Sequence, residues 1–221
     1  MIDIKISDEI RKHCPEISLG CFRYTAKVES RNNALWERLE NMAFPMVQET
    51  LERMALNEVP GIRSSRAAYK AFGKDPSRYR VSSEALWRRI GQGKGMYQVN
   101  TVVDVNNLIS IESGFSVGSY DMRQVGQNLE LRLGKAGEAY KGIGKEMLNI
   151  ENLPVIADET GAFGSSTSDS ERAMITEAST DLLTIIYAFS ERTALEKIMA
   201  AGEDYLIEYA QAQNLASWII D

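Results

Sequence analysis

The chain has 221 residues, 44% of them hydrophobic and 25% charged, enough to bury a sizeable core and too apolar for an intrinsically disordered protein. Its net charge of −6 disfavours nucleic acid over the surface as a whole, and its longest apolar stretches, such as LLTIIYAF at 182–189, fall far short of the ~20 residues that span a membrane. The opening MIDIKISDEIRK has no signal-peptide core, so a soluble cytoplasmic protein is expected.

In chain order, DIKIS and the aromatic, β-branched 19–29 read as strands. Residues 32–54 carry a helical stripe of Leu35, Leu39, Met42 and Val47, which Pro45 kinks or splits. Two shorter helices follow, 64–73 opening on serine and 82–93 stopping at Gly91. The spacing of Val102, Val105, Leu108 and Ile109 predicts another helix, closed by Gly114. FSVGSYDM (115–122) and LELRL (129–133) read as strands, 134–144 as a glycine-rich connection, and PVIAD (154–158) as a buried strand. Residues 159–174 are small and hydroxyl-rich, suiting a loop or two short strands. The β-branched end of 175–189 makes a strand, and a Thr193–Glu196 capping box opens a terminal helix over 193–213. Strands and helices without strict alternation predict a single α+β domain over 1–221.

Chemical signals are sparse. His13, Cys14 and Cys21 fit no zinc spacing, and one histidine argues against a Ser-His-Asp or Cys-His machine. No metal and no cofactor is expected. IGQGKGMY (90–97) is neither a P-loop nor a dinucleotide fingerprint; Lys94 and its glycines could meet a phosphate or simply end a helix. From Ile62 to Lys94, nine basic residues oppose only Asp75 and Glu84, so this segment carries +7 and the rest −13. That asymmetry fits a polyanion-binding face or a helix paired with acidic neighbours. Asp104, Asp121, Asp158, Glu159, Asp169 and Glu171 are carboxylates that sequence alone cannot pair.

The run RYRVSSEALWRRIGQGKGMYQVNTVVDVNNLISIESGFSVGSYDM (78–122) resembles the tRNA-editing B3/B4 module of the bacterial phenylalanyl-tRNA synthetase β subunit, and free-standing proteins built from that module. GIG (142–144), VIADETGAF (155–163), SDSER (168–172) and ITEASTDLLTIIYAF (175–189) follow in the family's order. The resemblance covers roughly 60–190. It implies a B3/B4-like α+β fold with a mixed sheet, flanking helices and a cleft that, in the synthetase, hydrolyses tyrosine wrongly attached to phenylalanine tRNA. An apolar pocket rejects an added hydroxyl poorly, so a second, hydrolytic site is needed.

Carried over by position, the resemblance makes Asn100 and Glu171 catalytic candidates. Thr176, Tyr97, Gly142 and Gly144 fall at the cleft, and Arg78, Arg80, Arg88, Arg89 and Lys94 are candidates to grip RNA. Asn100 would bond substrate or backbone; Asp104 and Asn107 would hold the turn into the helix or cap buried backbone. Two departures stand out: Gly118 replaces the module's histidine, and Tyr97 its arginine. Three readings follow: an editing hydrolase acting on mischarged tRNA in trans, a non-catalytic RNA- or tRNA-binding module, and a small-molecule or protein-interaction domain with an inherited amino-acid pocket.

Overall fold

In the computed structural model, which describes residues 2–221, the alternating DIKI forms strand β1 (Asp3–Ile6) with Ile4 and Ile6 turned inward. Helix α1 (Asp8–His13), capped by the Ser7 side chain, leads into β2 (Ser18–Thr25), which ends earlier than the expected 29. The helix expected over 32–54 is split into α2 (Asn33–Arg38), a π-helical turn (Leu39–Ala43) and α3 (Phe44–Arg53). Pro45 has no N–H for the carbonyl four residues back and its ring crowds that carbonyl; the wider turn just before it absorbs the mismatch.

Helix α4 (Pro60–Ala71) begins four residues before the expected serine, because Pro60 is preset for a first helical turn. Next come α5 (Ser82–Gly91) and α6 (Thr101–Ser113), the latter closed by Gly114 in the left-handed region at φ 75. Strands β3 (Ser116–Asp121) and β4 (Asn128–Leu133) lie where the alternation put them. The glycine-rich connection instead contributes β5 (Ala139–Lys141), which pairs with β6 (Met147–Asn149). β7 (Pro154–Asp158) and β8 (Gly161–Ser165) follow, then a 3₁₀ turn (Glu171–Ala173), β9 (Asp181–Ala188) and α7 (Arg192–Ala210).

The end of the chain corrects two expectations. The Thr193–Glu196 capping box does not form; Glu191, at φ 69, precedes α7, and Glu196 pairs with Arg192. Helix α7 stops at Ala210, where Gln211 turns left-handed, and Gln213–Ile220 is a strand, β10.

One sheet has the order β1-β4-β7-β8, with β1 parallel to β4 and the other pairs antiparallel. The second, β10-β2-β9-β3, is antiparallel throughout. Its strands β2, β9 and β3 are buried on both faces, whereas β10 is an exposed to half-buried edge. Phe22, Tyr24, Leu182 and Ile186 pack against the helical layer that holds α2, α3, α5, α6 and α7. Leu19, Cys21, Leu183, Ile185 and Tyr187 pack against the mixed sheet, α1 and α4. This double burial explains why β9 reads as a continuous apolar run, each such side chain contributing about 1.5–3 kcal/mol. The result is an α+β fold of helices, antiparallel sheet and mixed sheet. Among the described residues no helix is long and apolar enough to cross a membrane.

Candidate active site

The polar residues threaded through the valine run 97–107 are largely occupied inside the protein. Asn100 has extended backbone at the start of α6, and its side-chain oxygen accepts the Val103 N–H at 3.0 Å. Asp104, fully buried, accepts from Trp36 Nε1 at 2.9 Å and from the Val99 N–H at 3.1 Å. Burial pushes its carboxyl up, and these two donors oppose that shift. Asn106 accepts from Ser119 Oγ at 3.0 Å, and Ser119 continues through Thr184 to Tyr24. Asn107 is half-buried on the same helix. This stretch therefore locks α6 to α2 and to the antiparallel sheet. Replacing Asn100 by Ala is expected to cost about 1 kcal/mol in denaturant unfolding, the usual value of a lost cap. An unchanged midpoint would mean that the cap contributes nothing.

The basic segment is also largely spoken for. Glu84, buried in the first turn of α5, is reached by Arg66 at 2.9 Å, Arg80 at 3.4 Å and Arg88 at 3.3 Å. Three of the nine cations thus converge on one carboxylate. Arg89 lies over the ring of Tyr97, 3.9 Å from its centroid. A guanidinium therefore still occupies the surroundings of position 97, although it comes from α5. Arg78 and Lys94 are exposed and, among the described residues, form no ion pair.

A different cluster has the makings of a reactive site. The hydroxyl-rich loop Ser165–Asp169 leaves β8 and is held by three tyrosines from distant elements. Tyr69 of α4 bonds Ser166 and Thr167, each at 2.8 Å, and Tyr140 of β5 donates to the Ser168 carbonyl at 2.6 Å. Tyr120 of β3 donates to Asp169 Oδ1 at 2.9 Å, and the Ser165 N–H meets the same oxygen at 3.0 Å. Behind Tyr120, its hydroxyl is 2.8 Å from that of Tyr187 on β9. Burial keeps these phenols protonated, with Tyr69 pushed up to about 12. Burial also raises the Asp169 carboxyl to about 7, against the opposing bonds from Ser165 and Tyr120. Asp169 Oδ2 makes no hydrogen bond among the described residues. A half-buried carboxylate with one pinned and one free oxygen, titrating near neutrality, suits general acid–base chemistry.

Gly118 lies directly beneath this cluster. A Cβ there would overlap the Tyr120 hydroxyl and stand 3.1 Å from Asp169 Oδ2. Gly164 on β8 gives the same hydroxyl room from the other side. The space above position 118 is therefore filled by a tyrosine and an aspartate, and no side chain fits at 118 while Tyr120 stays put.

The two carried-over catalytic residues are not brought together. Asn100 opens a helix in the helical layer, whereas Glu171 follows Asp169 in the 3₁₀ turn beside β8, its carboxylate 2.9 Å from Lys141. Gly142 bridges to Ser170, and the Ile143 N–H donates to the Asp169 carbonyl, so the GIG segment borders the Asp169 loop. Thr176 is exposed, and its N–H donates to Ser179, whose hydroxyl donates to Asp121. Hydrogen bonds from Arg123 hold the Asp121 carboxyl below its usual range. Glu171, Gly142 and Gly144 thus group near Asp169, while Tyr97, Arg89 and Lys94 group at the α5–α6 connection. Asp169 stood among the candidate carboxylates, but nothing in its neighbourhood singled it out, because the tyrosines that hold its loop lie 25 to 98 residues away along the chain.

Elsewhere, a groove of 580 Å³ runs past His13, Cys14, Arg63, Ser64, Phe189 and Glu191, and none of the carried-over residues lines it. Burial pushes the Cys14 thiol up to about 11, and the thiol donates to the Phe189 carbonyl, both of which favour the protonated thiol at neutral pH.

The B3/4 domain profile matches residues 64–203. The phenylalanine–tRNA ligase beta subunit of Symbiobacterium thermophilum is 27% identical over 108 residues, covering 47% of this chain and 12% of that protein's length. An N-terminal fragment of the phenylalanyl-tRNA synthetase beta-subunit from Pyrococcus horikoshii superposes with a TM-score of 0.49 at 9% identity, over 99% of this chain and 54% of that one. The profile spans well over half of the sequence and includes the Tyr120–Asp169 cluster: the chain belongs to the B3/4 domain family.

Proposed function

We propose that this protein hydrolyses the ester linking an amino acid to tRNA, acting in trans on mischarged tRNA in the cytoplasm, with Asp169 as general base. The observation that carries this reading is the free Oδ2 of Asp169 beside Gly118, backed by the Tyr120–Tyr187 hydroxyl pair. A water bound at Oδ2 passes a proton to the carboxylate as its oxygen attacks the ester carbonyl carbon. The bond from that carbon to the ribose oxygen then breaks, and the proton held by Asp169 goes to the ribose oxygen. The products are a free amino acid and an uncharged tRNA. Glu171, Gly142, Gly144 and Thr176 border the substrate, and Asn100 acts on the site only through the α6 cap. Of the basic residues, Arg78, Arg89 and Lys94 remain available to phosphates, whereas Arg80 and Arg88 serve Glu84 first. The whole of 1–221 acts as one domain, a reading supported by β2 lying between β10 and β9.

The test is a deacylation assay against a panel of mischarged tRNAs that includes tyrosine on phenylalanine tRNA. Hydrolysis above the spontaneous rate for at least one member is expected. Silence across the panel from folded protein would remove the hydrolase and leave the RNA-binding module and the small-molecule or protein-interaction domain, which tRNA binding at low salt would separate.

A further inference from the structure

We propose that Tyr97 and Arg89 form a stacking platform for an unpaired nucleotide of single-stranded RNA. Tyr97 is 71% exposed, far more than a ring of its size normally leaves in water, and Val99 beside it is 54% exposed. The ring is also held in place. On one side the Arg89 guanidinium lies 3.9 Å from its centroid, with Arg89 Nε buried and without a hydrogen-bond partner among the described residues. The next residue, Gln98, donates to the Ser30 carbonyl at 3.0 Å and accepts from Arg31. Arg31 in turn sits over the Trp36 ring at 5.0 Å.

Arg89 thus lies on the exposed ring, Arg31 bonds the neighbouring Gln98, and Lys94 stands exposed three residues before Tyr97 in the chain. None of them has a carboxylate within ion-pair distance among the described residues, in a chain that is acidic overall. A ring with a guanidinium on one face and the other face open to solvent, with unpaired cations nearby, is complementary to a base and its phosphates. A duplex hides its base faces, so the occupant is an unpaired nucleotide. The 3′ end of tRNA that carries the amino acid is single-stranded. The platform therefore supplies a nucleic-acid contact for the proposed function, and it stands on observations separate from Asp169.

The test is fluorescence anisotropy of the full chain with labelled single-stranded oligoadenylate and with the same sequence in a duplex. The single strand should bind more tightly. Tyr97→Ala should weaken binding about tenfold, and Tyr97→Trp should retain it. Lys94→Ala should reduce the salt slope by about one phosphate contact without changing the preference for single strands. Equal binding of the duplex, or an unchanged affinity in Tyr97→Ala, would overturn the platform. Binding without deacylation would uphold the platform while removing the hydrolase.

Discussion

Asp169→Asn should lower the rate of aminoacyl-ester hydrolysis by about 10²–10⁴-fold, the range contributed by a positioned base. The substitution is nearly isosteric and keeps an oxygen for the Tyr120 hydroxyl and the Ser165 N–H, so the loop should stay folded. Stability provides the internal control. The folded carboxyl titrates at about 7, against ~3.9 in an unfolded chain, so between these values the folded protein binds more protons. The stabilisation this group provides is complete below its unfolded value and is lost as pH rises through 7. An amide at this position cannot ionise, so the variant should lose less stability than wild type between pH 5 and 8 in denaturant titrations. A variant that is inactive and also unfolded would point instead to Asp169 as a loop pin. Tyr120→Phe separates the positioning role from the chemistry. Its hydroxyl favours the ionised carboxylate, so removing it should move the kinetic inflection above that of wild type.

Glu84→Gln should destabilise the fold by about 3 kcal/mol. Arg66, Arg80 and Arg88 all converge on this buried carboxylate, and without its charge three guanidinium groups face one another across a site that water reaches poorly. Removing one partner of a buried ion pair typically costs 3–5 kcal/mol, and the partial exposure of Arg80 and Arg88 puts this case at about the lower end. Against a total stability of about 5–15 kcal/mol the loss is large. It would appear as a lowered denaturant midpoint with an unchanged slope. A shift below about 1 kcal/mol would mean that the arginines are solvated and available to RNA, reinstating them as a phosphate-binding face.

That cluster also marks where the sequence could be read and where it could not. Arg80, Glu84 and Arg88 lie four residues apart, a spacing that brings such side chains together on a helix, so part of the network was open to inference. Arg66 comes from α4, and a charge count cannot show that it completes the set. The strands β7 and β9 and the Gly114 cap were legible because burial and chain reversal impose local patterns. The strand β10 was not, because its QNLASWII follows α7 after a two-residue turn and lacks clean alternation. The β5–β6 pair is only three residues long on each side and sits among glycines that signal a loop. The Gly118 departure was visible as a missing histidine. Its meaning depended on Tyr120 and Asp169 meeting above it, 49 residues apart in sequence, a contact that no local pattern encodes.

The most direct measurement is the pH dependence of single-turnover hydrolysis of a mischarged tRNA, corrected for the spontaneous reaction. A rate that rises with unit slope and levels off near pH 7 is expected for Asp169 acting as base. A profile that is flat from pH 5.5 upward, as for an ordinary carboxylate or for no carboxylate at all, would contradict it.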